Sequence, residues 1–295
     1  MTPMDASPQT APFRAGLAVL VGRTNVGKST LTNALVGQKI TIVTSKPQTT
    51  RHVVHGIVQD PAFQLVLVDT PGFFRTRTSR LVSELHRKAR EALEGIDLVV
   101  HVVDPSREIG EEDQMVEDVL RPIRQPRILC LNKSDLSRKT SRDAWRARAK
   151  DYAGMVEVSA RSGAGIPELR QLLTGLLPEH PPLYPPEEVS NMHRDFQIAE
   201  LIREQVYKLT DQEVPYRTVI ELDAVEEAVT NEGKPFLHIK AAVLTPNDRY
   251  QRMLIGVGAQ MIRAIGTGAR RELERSLGRK VFLDLDVLVD KHIGG

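Results

Sequence analysis

Eight residues near the N-terminus have the types and spacing of a loop that binds phosphate. The segment reads GRTNVGKS and fits the pattern G-x-x-x-x-G-K-[ST]. Glycines at these positions let backbone N–H groups surround phosphates at a helix N-terminus, while Lys28 reaches the terminal phosphates and the Ser29 hydroxyl binds Mg²⁺. An apolar segment before the loop and the helical stretch TLTNALVG after it favour this interpretation over a glycine-rich turn. We therefore assign nucleotide contacts to Gly22, Arg23, Thr24, Asn25, Val26, Gly27, Lys28, Ser29 and Thr30.

A second motif, NKSD, indicates which nucleotide binds. It follows the apolar segment RILCL, and ligand contacts gather at the carboxyl ends of strands. The Asp135 carboxylate can accept hydrogen bonds from the two N–H groups on one edge of guanine, an edge that adenine lacks. Asn132 can tie this loop to the phosphate loop, and the stem of Lys133 can pack over the base. Ser159 and Ala160 end the next apolar segment, where the Ala160 N–H can meet guanine O6. NKSD alone also fits a surface turn. Because the phosphate loop, NKSD and the pair Ser159 and Ala160 occur in this order, each at the end of an apolar segment, they together predict guanine specificity.

A third motif, DTPG, predicts contacts to the metal ion and the γ-phosphate. Asp69 is placed to hold Mg²⁺ through water, and the Gly72 N–H can donate to the γ-phosphate and pivot when that phosphate leaves. Thr70, Pro71 and Phe73 belong to the same segment. The segment KPQTTRH offers a further ligand: Thr50 is the first candidate for closing over Mg²⁺, and Thr49 is the second. The alternative is that this segment is a polar loop without a role in metal binding. The predicted metal ligands are Ser29, Thr50 and Asp69, and the predicted catalytic residues are Asn25, Lys28, Thr50 and Gly72.

The residues after this motif predict slow hydrolysis. In many small GTPases a glutamine near this glycine orients the attacking water. Here Phe73 and Phe74 follow Gly72. An apolar side chain cannot orient water by hydrogen bonding, so we expect a low intrinsic rate.

A stretch near the C-terminus, MLIGVGAQMIRAIG, approximates the Gly-x-x-Gly loop with which one RNA-binding module clamps a nucleic-acid backbone. Its loop reads Gly256, Val257, Gly258 and Ala259, so alanine stands where the second glycine belongs. The alanine Cβ disfavours positive φ and intrudes where phosphate approaches. Residues 249 to 280 contain eight basic residues and only two acidic ones, which predicts a local patch that faces phosphates. The alternative is a solvated helix face on which arginines and glutamates form ion pairs with each other. The predicted RNA contacts are Gly256, Val257, Gly258, Ala259, Arg263, Arg270 and Arg271.

The elements that position these residues divide into two sets. From 16 to 177 short apolar segments alternate with amphipathic ones, which predicts a mostly parallel sheet with helices on both faces and one antiparallel hairpin strand. The segment LPEHPPLYPPEE then acts as a semi-rigid spacer. Beyond it the order is α-β-β-α-α-β, a small α+β domain. We expect a disordered tail over 1–13, domains over 14–177 and 191–295, and a linker over 178–190.

Composition excludes some classes. The formal net charge is only +2, so any basic site must be local, and the lone cysteine, Cys130, lies in an apolar segment and is expected to be a buried thiol. The N-terminus lacks the layout of a signal peptide, and no apolar run reaches the length of a membrane span.

The motifs together resemble those of known GTPases. GRTNVGKSTL, KPQTTRH, VDTPGF, LNKSDL and SA are similar to the five nucleotide motifs of the translation-factor-related GTPases. The later segments LPEHPPLYPPEEVS, AELIREQVYKLTDQEVPY, LHIKAAVL and IGTGARRELERSLGRKVFLDL resemble the bacterial Era GTPases over nearly the whole chain.

The resemblance implies a fold and a function. It implies an α/β P-loop GTPase domain followed by a type II KH domain that binds the 3′ end of small-subunit ribosomal RNA, in an assembly factor for the small ribosomal subunit. It implies GTP or GDP with Mg²⁺, and K⁺ held by Asn25 in place of an arginine finger. It also implies a cytoplasmic monomer with peripheral contact at the inner face of the cell membrane. Switching would order residues 44–51 and 69–80 around the γ-phosphate.

Two other functions fit parts of the sequence. A P-loop kinase shares the phosphate loop, but NKSD argues against it because that motif favours guanine. The other alternative is a regulatory GTPase whose C-terminal domain binds protein instead of RNA. Ala259 leaves this alternative possible, because it replaces the second glycine of the RNA-binding loop. Salt dependence separates a protein-binding C-terminal domain from an RNA-binding one, because phosphate contacts weaken steeply with salt.

Overall fold

The computed structural model describes residues 12–47, 49–73 and 80–293, which form two compact units. The N-terminal unit comprises 1–37 and 51–191, and the C-terminal unit comprises 38–50 and 192–295. Most of the predicted tail, as well as Phe74, lies outside the described residues.

The N-terminal unit is built on a six-stranded sheet in the order β2-β3-β1-β4-β5-β6. Every neighbouring pair is parallel except β2 and β3, which form the predicted antiparallel hairpin. The strands are β1 (Arg14–Val21), β2 (Val54–Gln59), β3 (Phe63–Asp69), β4 (Leu98–Val103), β5 (Arg127–Leu131) and β6 (Gly154–Glu157), and the helices are α1 (Lys28–Val36), α2 (Arg80–Glu91), α3 (Glu111–Leu120), α4 (Arg142–Arg148) and α5 (Ile166–Gly175).

Helices cover both faces of this sheet, as the continuous apolar segments predict. All six residues of β4 are buried, which is expected of a strand covered on both sides. Buried residues form separate clusters on the two faces, one around Leu20 and Val100 and the other around Val19 and Val99. Because β1 lies between β3 and β4, the strand order reverses beside it, and open α/β sheets bind ligands at such a point.

The proline-rich segment packs against the edge of this sheet. The Val189 carbonyl accepts from the Ile57 N–H of edge strand β2 at 2.9 Å. The buried Gln64 side chain accepts from the backbone N–H groups of Leu183 and Tyr184 and donates to the Tyr184 carbonyl. The spacer therefore covers an edge that would otherwise be open to pairing.

The C-terminal unit has the predicted α-β-β-α-α-β order. Its sheet runs β7-β8-β9, with β7 and β8 antiparallel and β8 and β9 parallel. The helices pack on one sheet face through buried residues such as Ile202, Ile239 and Leu273. The elements are α6 (Arg194–Leu209), β7 (Val219–Val229), β8 (Pro235–Thr245), α7 (Asp248–Ile255), α8 (Gln260–Leu277) and β9 (Lys280–Val289).

Residues 38–50 are part of this second unit. Ile42 belongs to its apolar core, and the Lys39 ammonium bonds Glu204 of α6 at 2.5 Å and Glu272 of α8 at 2.9 Å. The Glu204 side chain is almost fully buried and also accepts from the Val43 N–H. These charged contacts fix the segment on α6.

Candidate nucleotide and nucleic-acid sites

The phosphate loop lies between β1 and α1, at the point where the strand order reverses. Gly27 has φ 100°, and a Cβ there would stand 2.4 Å from the Asn132 amide nitrogen. The position therefore accepts only glycine. Helix α1 begins at Lys28, so the first N–H groups of the helix face the loop, as an anion site requires.

The side chain of Arg23 points away from the loop. Its guanidinium bonds Asp113 at 3.0 Å, at the start of α3, and both groups are nearly buried. Asp113 also accepts from the Gly110 N–H and caps that helix. The main chain of Arg23 remains at the loop, where its carbonyl accepts from the Lys28 ammonium.

DTPG meets the phosphate loop through main-chain hydrogen bonds. The Thr24 N–H donates to the Phe73 carbonyl at 3.0 Å, and the Phe73 N–H donates to the Gly22 carbonyl at 3.2 Å. A Cβ on Gly72 would lie 2.8 Å from the Thr24 Cα and 3.0 Å from the Lys28 ammonium. The Phe73 ring is fully buried in the core, so it has no access to a water molecule in the site.

Lys28 and Asp69 form a buried pair of opposite charges beside this loop. The Lys28 ammonium donates to the Gly22 and Arg23 carbonyls at 3.1 and 3.2 Å. Burial lowers its pKa to about 8, opposed by the charge of Asp69. Burial raises the pKa of Asp69 to about 6, opposed by the nearby Ser29 hydroxyl and the Lys28 charge. A phosphate would favour the charged form of Lys28, and a cation would favour the charged form of Asp69.

The carboxylate of Asp69 fits a magnesium site. Both of its oxygens are buried, and the Ser29 hydroxyl and the Lys28 charge do not fully offset that burial. A buried ionised carboxylate is costly, and a hard cation with oxygen ligands reduces that cost. Asp69 and Ser29 are therefore suited to hold Mg²⁺.

The base loop is tied to its neighbours by Asn132. Its amide nitrogen donates to the Val26 carbonyl at 2.8 Å, and its amide oxygen accepts from the Ala160 N–H at 3.0 Å. The Lys133 ammonium donates to the Asn25 carbonyl at 2.8 Å. The Ala160 N–H would thus be shared between Asn132 and a guanine O6.

Asp135 stands exposed at the surface of this loop. Its carboxylate accepts from the Ser159 hydroxyl at 2.7 Å, and this bond, the main cause, lowers its pKa. An ionised, accessible carboxylate is the form that accepts two N–H groups from a base edge.

The two candidate threonines lie in the segment 38–50 of the C-terminal unit. The Thr49 hydroxyl donates to the Lys46 carbonyl at 2.8 Å and lies 2.6 Å from the Thr44 hydroxyl. Its own carbonyl accepts from Arg203 at 2.8 Å. The geometry therefore gives Thr49 a structural role in its own unit, and the closing of Thr50 or Thr49 over Mg²⁺ stays a prediction.

The altered glycine loop keeps a left-handed backbone at the alanine. A short 3-10 helix, Val257–Ala259, joins α7 to α8. The φ angle is 61° at Ala259 and 57° at the preceding Gly258, so both residues are in the left-handed region. Gly256 also has positive φ, and the side chain of Val257 is 88% exposed. The loop thus has the shape that glycine would favour, with one strained non-glycine residue.

A cleft of about 380 Å³ follows this loop between α8 and β9. Residues of α8 that share one helix face line it, and the small residues at 266 and 267 leave room for a ligand. Its lining consists of Ile262, Arg263, Gly266, Thr267, Arg270, Leu283 and Leu285. Apolar walls with two arginines suit splayed bases and phosphates.

The basic residues predicted for this patch differ in their partners. Arg275, Arg279 and Lys280 lie within 4.0 Å of glutamates. Arg263, Arg270 and Arg271 are exposed and have no ion pair among the described residues. The three arginines named as RNA contacts are therefore among those whose charge is available, as are the exposed Arg249 and Arg252.

One buried acidic group near the base loop was not expected from the sequence. Asp104 follows β4 and contacts Lys133 at 2.7 Å. An aspartate at the carboxyl end of a buried strand, in VVHVVD, is the signal that could have indicated it.

Family models match both parts of the chain. Residues 17–133 match a family described as 50S ribosome-binding GTPase, and residues 222–292 match the KH domain. Among the residues described by the structure, no helix has both the length and the apolar character needed to cross a membrane.

Two curated relatives are similar over almost the full length. GTPase Era of Geobacter metallireducens is 38% identical over 283 residues, covering 95% of this chain and 94% of the relative. GTPase Era of Lactobacillus delbrueckii subsp. bulgaricus is 39% identical over 285 residues, covering 95% and 92%.

Two solved structures share the whole fold. A crystal structure of Era in complex with MgGDPNP and nucleotides 1506-1542 of 16S ribosomal RNA has a TM-score of 0.85 and 30% identity, covering 94% of both chains. An Aquifex aeolicus Era variant bound to GDP and AlF4⁻ has a TM-score of 0.85 and 29% identity, with the same coverage. The chain therefore belongs to the Era family of GTPases, with an α/β GTPase domain followed by an α+β KH domain.

Proposed function

We propose that this protein is a GTP-switched RNA-binding factor for assembly and maturation of the small ribosomal subunit. Its KH domain would bind the 3′ end of small-subunit ribosomal RNA. The observation that carries the proposal is the cleft beside the glycine loop, lined by Arg263 and Arg270, in a chain that also has a complete set of guanine-nucleotide motifs. A similar Era structure holds 16S ribosomal RNA nucleotides and MgGDPNP, which supports it.

The nucleotide site acts by positioning and charge neutralisation. The Lys28 ammonium, held by two main-chain carbonyls, would move its hydrogen bonds to the terminal phosphates. Ser29 and Asp69 would hold Mg²⁺, with Thr50 or Thr49 closing on it in the GTP state. When bound, the ion neutralises charge that develops on the phosphate oxygens. The Gly72 N–H and the N–H groups of the phosphate loop would donate to the γ-phosphate.

We propose guanine specificity through Asp135. Its accessible carboxylate would accept from the two N–H groups of the guanine edge. Asp135→Asn replaces one acceptor by a donor, so we expect GTP affinity to fall at least 100-fold while the affinity for xanthosine triphosphate rises. Equal loss for both nucleotides would refute this assignment.

Hydrolysis would be slow and stimulated by K⁺. The buried Phe73 ring offers no hydrogen bond to water, and the loop residue Asn25 would help to hold K⁺ in place of an arginine finger. We expect a faster rate of phosphate release in KCl than in NaCl, and Asn25→Ala should remove the difference. Equal rates in the two salts would contradict the role of K⁺.

RNA binding would use the free arginines and splayed bases in the cleft. Arg263→Glu with Arg270→Glu should weaken binding of a 16S 3′-end oligonucleotide at least tenfold, measured by fluorescence anisotropy. The double reversal Arg124→Glu with Lys150→Glu, at exposed positions of the GTPase domain, is the matched control. Unchanged affinity in the cleft variant would refute the arginine assignment.

The second candidate is a C-terminal domain that binds protein. The Ala259 Cβ at the place of the second glycine favours it, because phosphate needs that space. Partner binding that does not change with salt would support this candidate. Family membership as a GTPase leaves no support for the kinase alternative.

We also propose that the protein is a monomer in the cytoplasm with peripheral contact at the inner face of the membrane. The resemblance to Era proteins supports this proposal. Light scattering tests the monomer, and co-sedimentation with anionic lipid vesicles tests the membrane contact.

A further inference from the structure

Asp104 is a buried carboxylate with an unusually complete set of partners. It follows β4 directly, and its side chain is only 2% exposed. One oxygen accepts from both the backbone N–H and the hydroxyl of Ser106, at 3.0 and 2.6 Å. The other accepts from the Lys133 ammonium at 2.7 Å. Burial alone would raise the pKa of Asp104, but the bonds from Lys133 and Ser106 outweigh it and hold the pKa below its ordinary value.

The same ammonium reaches the phosphate loop. The Lys133 Nζ donates to the Asn25 carbonyl at 2.8 Å, so Asp104, Lys133 and Asn25 form one chain of hydrogen bonds. Asn25 has φ 61° and Lys133 has φ 63°, left-handed conformations that non-glycine residues rarely adopt. Such residues persist where surrounding contacts hold them, and they cluster at ligand sites. The bond between them joins two strained loops.

The charge of Asp104 decides where the lysine can point. Lys133 is about one quarter exposed, and a lysine with four rotatable bonds loses much freedom when its tip is fixed. A nearly buried anion within hydrogen-bond distance fixes that tip more firmly than the neutral Asn25 carbonyl alone. The stem between the two anchored ends is then pre-organised for contact with a flat base.

We propose that Asp104 is a positioning residue for guanine-nucleotide binding, because it holds the Lys133 ammonium on the Asn25 carbonyl and thereby joins the base loop to the phosphate loop. This inference rests on the nucleotide site of the proposed function. Asp104 itself touches no nucleotide and acts through Lys133. The competing explanation is that Asp104 only shapes its own turn through Ser106.

The dissociation rate of a fluorescent GDP analogue, measured with the full-length protein, separates the two explanations. Asp104→Asn keeps the volume and an acceptor for Ser106 but removes the charge, and we expect about tenfold faster dissociation. Lys133→Met keeps the stem and removes the ammonium, with an effect at least as large. The double variant should release the analogue no faster than Lys133→Met alone, because the carboxylate has no further route to the nucleotide.

Two further variants are controls. Ser106→Ala removes the hydroxyl from Asp104 and leaves the contact with Lys133, so its dissociation rate should stay within about twofold of the wild type. Asp104→Glu keeps the negative charge, so its dissociation rate should lie between the rates of the wild type and of Asp104→Asn. If Asp104→Asn does not fold, Asp104→Ser, a smaller uncharged residue, takes its place in the same cycle.

The outcomes are distinct. Rates that multiply in the double variant, or an Asp104→Asn protein that holds the analogue like the wild type, would overturn the inference. A wild-type protein that binds no guanine nucleotide would instead refute the proposed function.

Discussion

The Asn132 amide donates to the Val26 carbonyl at 2.8 Å and so joins the base loop to the phosphate loop across 106 residues of sequence. Its oxygen accepts from the Ala160 N–H, so a nearly fully buried side chain connects three loops at the carboxyl ends of strands. Strands of a parallel sheet end at one edge, which is why distant motifs meet there.

Removal of this amide should weaken nucleotide binding. Asn132→Ala leaves a buried carbonyl and a buried N–H without their partner, at about 1–3 kcal/mol each. We expect the GDP affinity to fall by about 10- to 100-fold in a calorimetric titration. Asn191→Ala removes an amide that bonds His55 instead and should leave the affinity unchanged. A similar loss in both variants would show a general destabilisation.

Replacement of the alanine in the altered loop should strengthen RNA binding. Ala259 has φ 61°, so Ala259→Gly relieves backbone strain and removes the Cβ where phosphate approaches. We expect at least threefold higher affinity for the 3′-end oligonucleotide. Ala264→Gly, inside α8, is the matched control: it should cost about 1 kcal/mol of unfolding free energy without a gain in affinity. Equal affinity of the Ala259→Gly variant and wild type would show that phosphate does not approach this position.

The buried carboxylate of Asp69 should cost stability in the absence of nucleotide. Burial raises the pKa of Asp69 to about 6 in spite of the Ser29 hydroxyl and the Lys28 charge, so the ionised carboxylate is costly in the folded protein at neutral pH. Asp69→Asn should therefore raise the unfolding free energy of the nucleotide-free protein by about 1 kcal/mol. The same variant should lose the Mg²⁺ dependence of GTP-analogue binding. Asp97→Asn, which weakens a bond to the Leu17 N–H, should destabilise the protein instead. A less stable Asp69→Asn protein would contradict this prediction.

His101 should make the N-terminal unit sensitive to acid. It lies in the buried strand β4, bonds the Tyr152 hydroxyl at 2.7 Å, and has its pKa lowered to about 3 by burial and by the charges of Arg127 and Arg148. The unfolded chain binds a proton below about pH 6.5 and the folded chain does not, so this contribution to stability is present above pH 6.5 and is lost as the pH falls.

Comparison with His101→Gln isolates the effect. Between pH 7 and pH 5 the wild type should lose about 2 kcal/mol of unfolding free energy relative to the variant, measured by denaturant titration. If the unfolding free energies of the wild type and of His101→Gln changed equally between pH 7 and pH 5, His101 would titrate in the folded state as it does in the unfolded chain. Other titrating groups, such as Asp69, cancel in this difference.

The sequence predicted the elements and the nucleotide motifs because both depend on local spacing. Apolar segments gave the strands, and each motif follows a strand directly, so its residues face one edge of the sheet. The charge count also predicted a basic patch over 249–280, although three of its eight members lie beside glutamates.

Contacts between distant segments could not be predicted in the same way. The guanidinium of Arg23 turns to Asp113, ninety residues away, where burial and the cap of α3 decide its direction. The segment 38–50 lies within the span 14–177 predicted for the first domain, yet Ile42 and Lys39 fix it on α6 through Glu204, a charge that is buried only in the folded unit. Such partners are set by packing, which sequence spacing does not encode.

The most direct test of a GTP-switched RNA-binding protein is fluorescence anisotropy of an oligonucleotide that matches the 3′ end of small-subunit ribosomal RNA. Binding should be measured with a non-hydrolysable GTP analogue and with GDP across a salt series. We predict tighter binding with the GTP analogue and a steep loss of affinity with salt. Absence of binding in both nucleotide states, with guanine nucleotides bound normally, would contradict the account and assign another partner to the KH domain.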